Sequence, residues 1–391
     1  MRDLHFETLA IRTQTEQTQH KEHAVPLFLT SSFTFDSAEE GAGLFSGDLE
    51  GNLYSRFSNP NTDEFVEKLK LLEGTEDGVA TATGMASVFV TLASILESGD
   101  HIVASSAIFG NSLNIVQNIL PRYGITTTLV EVDDESAWEK AIQPNTKLLF
   151  VETPSNPTLK IADLEFLGRL SEKHNLIFVV DNCFATPYLQ QPTRFGADLV
   201  LHSATKYIDG QGRVLGGAIL GKKEYVSKAY DFIRRTGASL SPFNAWVLSK
   251  SLETLGLRMD RHCFNAVKIY EFLKTHPEVN SVTYPHGEDH PQYELAKKQM
   301  KLGGGLVGCE IKGGKERGAR FLNALKIHSL TANLGDARSI ATHPASTTHS
   351  KLSEEQQLAV GITPGFIRFS VGLEHWEDLV QDIEQALEQS K

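Results

Sequence analysis

The sequence predicts an α/β protein: a mostly parallel sheet covered by helices on both faces, followed by a smaller α/β unit. Two patterns and the length carry this expectation. Short apolar runs recur at 79–83, 102–104, 127–132, 147–151, 177–180, 199–202 and 217–220. Helical stretches at 64–72, 85–96, 113–121, 163–173 and 223–235 separate several of them, and strands alternating with helices favour parallel pairing. At 391 residues the chain exceeds one ordinary core and suggests about two domains.

Residues 1–55 are polar and irregular, with few core runs. Such a segment seldom folds alone and reads as an arm lying over its own or a neighbouring subunit. A large unit is expected over 56–250. It opens with a helix whose apolar positions are Phe65, Val66, Leu69 and Leu72. The strand Val79–Thr83 then leads into the helix Met85–Leu96. A long helical stretch from Phe243 to about Leu273 bridges to a unit over 251–391. That unit mixes strand signals at 306–311 and 367–371 with helices at 318–325 and 376–387. Gly303-Gly304-Gly305 and Gly313-Gly314 read as turns.

Composition excludes several functions. A net charge of −12 argues against nucleic acid and against an anionic membrane surface. Cys183, Cys263 and Cys309 are far apart and odd in number, which suits a reducing compartment without a disulfide framework. No run approaches the ~18 apolar residues of a membrane helix. Met1–Arg12 lacks a long apolar core, so no secretory signal is expected, and the chain reads as cytoplasmic. Gly210-Gln211-Gly212 opens like a dinucleotide loop, but Leu215 stands where the last glycine belongs. The histidines are scattered, and no metal site is expected.

The most informative stretch is Leu199–Lys206, an apolar run ending in Ser203, Thr205 and Lys206. A neighbouring run, Ile177–Val180, ends at Asp181. A lysine beside hydroxyls, opposite an aspartate at the end of another strand, suits pyridoxal 5'-phosphate (PLP). Lys206 can form the Schiff base, Asp181 can keep the pyridine nitrogen protonated, and Ser203 and Thr205 can bind the phosphate. Taken alone, such a lysine is more often a loop residue reaching solvent; Asp181 and the groups below reverse that preference. Thr83-Gly84-Met85 sits between a strand and a helix, where free N–H groups face anions. Tyr54-Ser55-Arg56 joins a phenol to a guanidinium, though an ordinary surface loop reads equally well. Phe109 can stack on a planar ring, although core packing is the commoner use of a lone phenylalanine. Asn156, after the run ending at Val151, can contact a cofactor oxygen or a substrate carboxylate. Arg368 interrupts the apolar strand 365–371 and needs either an internal acid or a bound carboxylate.

Together these residues resemble the Cys/Met-metabolism family of PLP enzymes, which have fold type I. The shared pattern runs collinearly through Tyr54-Ser55-Arg56, Gly84-Met85, Asp181-Asn182, Ser203–Lys206, Leu334-Gly335-Asp336, His343–Ser346 and Arg368. The segments Asp181–Pro187, His202–Gly212, Leu240–Trp246 and Thr331–Gly335 are similar to the subgroup of sulfhydrylases that use O-succinylhomoserine. The resemblance implies a seven-stranded sheet and a homo-oligomer, a tetramer built from dimers with shared active sites. It implies that Lys206 carries PLP, Asp181 binds the pyridinium nitrogen, and Gly84, Met85, Ser203 and Thr205 hold the phosphate. Tyr54 and Arg56 would join that phosphate from the neighbouring subunit, with Tyr54 near the chemistry. Phe109 would stack on the ring. Arg368, Asn156 and Asn333 would bind the amino-acid substrate.

Two positions depart from related subgroups. Lyases and cystathionine synthases of the family usually place a tyrosine at the position of Phe109, and methionine γ-lyases a cysteine at that of Asn111. The expected reaction is therefore γ-replacement on an O-acylated homoserine, with sulfide or another thiol as acceptor. O-succinylhomoserine plus sulfide, giving homocysteine and succinate, leads. Cystathionine γ-synthase, a β- or γ-lyase and a non-catalytic PLP-binding protein are the alternatives, and O-acetylhomoserine stays open as the ester. Arg234 and Arg235 are candidates for the succinyl tail by charge alone.

Overall fold

The computed structural model describes residues 4–347, 353–359 and 361–391. Its larger sheet contains β1 (Asp77–Thr81), β2 (His101–Ser105), β3 (Thr126–Val130), β4 (Thr146–Glu152), β5 (Ile177–Asp181), β6 (Leu199–Ser203) and β7 (Gly217–Gly221). The spatial order is β1-β7-β6-β5-β4-β2-β3. β7 runs antiparallel to β1 and β6, and every other pairing is parallel. This is the expected mostly parallel seven-stranded sheet.

Strand alternation explains why these runs are apolar throughout. Phe150, Val179, Leu201 and Ile219 face Val88, Leu92, Val226 and Ile233 of the helices Gly84–Ile95 and Lys223–Thr236. Leu149, Val151, Phe178 and Val180 face Leu164, Leu167 and Leu170 of the helix Leu164–His174. Both faces of the central strands are covered, so the apolar runs of β4, β5 and β6 give way to acids or a hydroxyl at their ends. Glu152, Asp181 and Ser203 close β4, β5 and β6. Parallel registry brings these ends to one edge of the sheet.

The smaller sheet contains β8 (Val279–Thr283), β9 (Leu306–Ile311), β10 (Ser329–Leu330), β11 (Ile340–Thr342) and β12 (Phe366–Ser370), in the order β10-β11-β12-β9-β8. Only the β10–β11 pair is parallel. The helices Leu255–Thr275, Gly314–Ala324 and Trp376–Gln389 cover one face, packing Ile269, Phe321 and Ile383 with Val307, Cys309, Ile367 and Phe369. Arg368 alternates with Ile367 and Phe369, so its side chain leaves this core and reaches Asn156 beyond β4.

Two sequence expectations need correction. The stretch 243–273 is two helices, Pro242–Leu252 and Leu255–Thr275. At the break, the buried Arg258 takes the carbonyl of Ser251 at 2.9 Å, together with those of Tyr207 at 2.5 Å and Ile208 at 3.0 Å. The same guanidinium thus anchors the turn that follows Lys206. The first 55 residues are also less irregular than their composition suggests. They include the helices Phe6–Arg12 and Ala38–Ser46. Ala10 is buried in this chain's own core, and Phe6 meets Tyr188 edge-on at 5.1 Å. Docking on the same chain continues to residue 28, where the Phe28 N–H donates to Asn61 Oδ1 at 2.8 Å and Val25 O accepts from Trp246 Nε1 at 3.0 Å, whereas Leu29, Phe35, Phe45 and Leu49 stay exposed. Among the described residues no helix is long and apolar enough to cross a membrane.

Candidate active site

The site begins where β1 turns into the helix Gly84–Ile95. Thr83 caps that helix by accepting from the Ala86 N–H at 3.0 Å. The amides of Gly84 and Met85 lie in the first turn, where no intrahelical acceptor exists, and face an anion-favouring field. A Cβ on residue 84 would lie 2.4 Å from Cβ of Ser203, so only glycine lets the helix start approach the end of β6 this closely. Thr205 Oγ accepts from the Gly216 N–H at 3.2 Å and ties the loop after β6 to the start of β7. Gly84 and Ser203 thus meet closely, with Met85 next to the one and Thr205 two residues beyond the other.

Lys206 follows directly. Its Nζ donates to Asn333 Oδ1 at 2.7 Å. Asn333 O in turn accepts from Arg368 Nη2 at 3.2 Å, and Arg368 Nη1 donates to Asn156 Oδ1 at 2.6 Å. Residues 156, 206, 333 and 368 thus form one hydrogen-bonded frame spanning both sheets. Gly335, at φ 73°, allows this closure, because a Cβ there would stand 2.7 Å from the Tyr207 nitrogen. Arg368 is only 4% exposed, pairs with no carboxylate among the described residues, and leaves Nε without a partner. Among the described residues no internal acid answers its charge, which leaves room for a bound anion. Burial lowers the Arg368 pKa to about 10. Burial pushes the Lys206 amine down from its ordinary value, and the Arg368 charge adds to this. An amine so placed gives up its proton more readily than a surface lysine.

The floor of the site is acidic. Glu152 and Asp181 are registered neighbours on β4 and β5. Asp181 accepts from the Cys183 N–H at 3.1 Å, and burial raises its pKa to about 6, partly offset by His202. No cation bonds it among the described residues. A protonated pyridine nitrogen is what such an acid lacks. Glu152 accepts from the Phe109 N–H at 2.6 Å and is pushed far above the usual carboxylate range by burial, then by Asp181. Behind β6, His202 Nε2 meets Glu73 Oε2 at 2.7 Å, both side chains fully enclosed. Phe109 is 39% exposed, so core packing does not consume this residue and it is available for stacking.

Tyr54 and Arg56 lie elsewhere. Arg56 donates to the Arg234 carbonyl, and its guanidinium stands 5.5 Å from the Tyr54 ring centre and 4.8 Å from that of Phe57. Neither residue bonds Lys206, Gly84, Ser203 or Thr205 within this chain. The Arg234 guanidinium also lies against this cluster, 4.4 Å from the Phe57 ring centre, whereas Arg235 pairs with Asp231 at 3.4 Å.

The donor set fits PLP: helix-start amides and hydroxyls for a phosphate, an amine for an aldehyde, and a half-buried acid with no cation on it, among the described residues, for a ring nitrogen. Sequence reasoning placed no role on Glu152. The signal was present, since Glu152 ends β4 as Asp181 ends β5. The comparisons agree with this chemistry. An O-succinylhomoserine sulfhydrylase of Pseudomonas aeruginosa is 43% identical over 382 residues, covering 98% of this chain and 95% of that protein. An L-methionine gamma-lyase of Fusobacterium nucleatum is also 43% identical, over 97% of each chain. A Campylobacter jejuni protein solved with N'-pyridoxyl-lysine-5'-monophosphate superposes with a TM-score of 0.94 at 35% identity, over 98% of this chain and 100% of that one. The Cys/Met metabolism PLP-dependent enzyme model matches residues 7–388, and the chain belongs to that family, with fold type I and PLP as its cofactor.

Proposed function

We propose that this protein catalyses γ-replacement on O-succinylhomoserine with sulfide, releasing succinate and homocysteine. The observation that carries the choice over a lyase is Phe109, with Asn111 two residues on. The ring-stacking position offers no phenol for acid–base work, and Asn111 stands where methionine γ-lyases place a cysteine. Relatives of both kinds stand at the same 43% identity, so the site rather than overall similarity supports this reading.

In this account Lys206 tethers the cofactor, and the amides of Gly84 and Met85 hold its phosphate with Ser203 and Thr205. Tyr54 and Arg56 reach that phosphate from a neighbouring subunit of a homo-oligomer. Asp181 keeps the ring nitrogen protonated. Arg368, with its free Nε, takes the substrate α-carboxylate, while Asn156 and Asn333 fix the guanidinium. PLP, when bound, supplies the electron sink for the charge left at Cα. Lys206, once its amine is free, takes the Cα proton and moves protons to and from Cβ. Succinate then leaves Cγ and sulfide adds there. The reading keeps an arm over 1–55, a cofactor unit over 56–250 and a substrate unit over 251–391. Its three unpaired cysteines suit a reducing, cytoplasmic setting.

A product assay tests this. The purified holoenzyme is offered O-succinyl- or O-acetylhomoserine with sulfide, cysteine or methanethiol, and L-methionine alone. The fastest product should be homocysteine from the succinyl ester and sulfide. Faster release of 2-oxobutanoate and methanethiol from methionine would make it a lyase. Bound PLP without turnover of any amino acid would make it a carrier.

A further inference from the structure

Glu152 is a buried acid that none of the roles above uses. It is 3% exposed and lies at the end of β4. Phe150 and Val179 pack in one cluster, so Glu152 and Asp181, each two residues further along registered strands, leave the sheet on that same face. Its Oε2 accepts from the N–H of Phe109, at the start of the turn Gly110–Asn114. The Asn156 amide also faces it. One carboxyl thus touches the segment bearing the stacking ring, neighbours the acid beneath the pyridine nitrogen, and borders the loop that fixes Arg368.

We propose that Glu152 is a positioning residue that carries its proton in the working enzyme, setting Phe109 and Asp181 against the two ends of their task on the cofactor ring.

Charge balance gives the reason. The groups facing Glu152 are the Asp181 carboxylate, the Cys183 thiol and the amides of Phe109 and Asn156; His202, held by Glu73, lies beyond Asp181. Bound pyridinium brings one positive charge against Asp181. A second anion beside it would have the two amides but no cation among the described residues, and burial and the Asp181 charge both disfavour it. Protonated, Glu152 keeps one oxygen for the Phe109 N–H and turns its O–H donor to the Asp181 side. Glutamine reproduces that pattern with an amide, one acceptor and a donor. This inference rests on Asp181 serving the ring nitrogen, and not on which thiol is the acceptor.

The test compares Glu152→Gln and Glu152→Ala by PLP affinity and by the visible absorbance and circular dichroism of the loaded proteins between pH 6 and 9. Glu152→Gln should bind PLP within about threefold of wild type and keep the same visible band, whereas Glu152→Ala loses the Phe109 acceptor and should bind about tenfold more weakly. Its visible dichroism should change as the stacking ring loosens. A Gln variant that loses tenfold in affinity overturns the proposal, because an ionised carboxylate would then be required. An Ala variant matching wild type overturns it as well. If Glu152→Ala does not fold, the Gln result decides alone. An Asp181→Asn variant run in parallel isolates the underlying assignment: unchanged PLP absorbance and activity there would remove Asp181 from the ring nitrogen, whatever Glu152 does.

Discussion

Replacing Arg368 by lysine separates charge from geometry at the substrate end of the site. Arg368 donates to Asn156 Oδ1 at 2.6 Å and to Asn333 O at 3.2 Å, and holds Nε unpartnered. A carboxylate received by this fork gains two charge-assisted hydrogen bonds, each worth ~1.5–3 kcal/mol. Lysine keeps the positive charge but offers one well-placed donor, and it no longer bridges Asn156 to Asn333. Losing one such bond costs ~1.5–3 kcal/mol, which is ~10- to 160-fold in kcat/KM. The loss should fall mainly on KM, because the carboxylate is held equally before and during the reaction. Arg368→Gln goes further. It also removes a charge that pushes the Lys206 pKa down, so the base titrates at higher pH. The acidic limb of the kcat profile should therefore move upward in Arg368→Gln and stay in place in Arg368→Lys. Steady-state succinate release across pH 6–9 measures both, with visible absorbance confirming that PLP is bound. A lysine variant within threefold of wild-type kcat/KM would show that Arg368 does not hold the carboxylate.

Three further outcomes follow from the same geometry. Burial raises the Asp181 pKa in the protein without cofactor to about 6 from an ordinary value of 3.8. A raised acid pKa costs stability as pH climbs through that window, by ~2–3 kcal/mol at neutral pH. The Asp181→Asn apoprotein should therefore melt above wild-type apoprotein at pH 7.5, with the gap closing towards pH 4; a lower melting temperature at pH 7.5 would contradict this. Arg234, which shares the Phe57 ring with Arg56, should contribute to the succinyl tail: Arg234→Met raises KM for the succinyl ester about tenfold and leaves the acetyl ester alone. Arg235→Met should change neither, and equal effects of Arg234→Met on both esters would exclude the role. Finally, poorly active Arg56→Ala and Lys206→Ala oligomers should regain part of the activity when mixed under subunit exchange, since one shared site then carries no defect. Verified heterodimers without recovery would place Arg56 in its own chain's chemistry.

Much of this arrangement is legible in the sequence because the site lies where apolar patterns stop. The runs 147–151, 177–180 and 199–202 mark β4, β5 and β6, and the residues just beyond them, Glu152, Asp181 and Ser203, are the polar edge. Strand direction is not written this way. Gly217–Gly221 reads alike in either sense, and only pairing shows β7 antiparallel to β1 and β6. The helix break after Leu252 comes from Arg258 and the Ser251 carbonyl, a tertiary contact without local signature. Val279–Thr283 escapes notice because an edge strand with Asn280 and Ser281 exposed lacks an apolar run. The Lys206–Asn333 bond joins residues 127 apart, and no spacing rule predicts it. Tyr54 and Arg56 are similar: their segment shows an arm, while its target is suggested by family resemblance alone.

The account depends most on Lys206 being the residue that carries PLP. Borohydride reduction of the yellow holoenzyme, followed by peptide mapping, tests this directly. The label should fall on the peptide containing Ser203–Lys206, and Lys206→Ala should show neither label nor the visible band of lysine-bound cofactor. A label on any other lysine, or an unchanged band in Lys206→Ala, would contradict the site as built here.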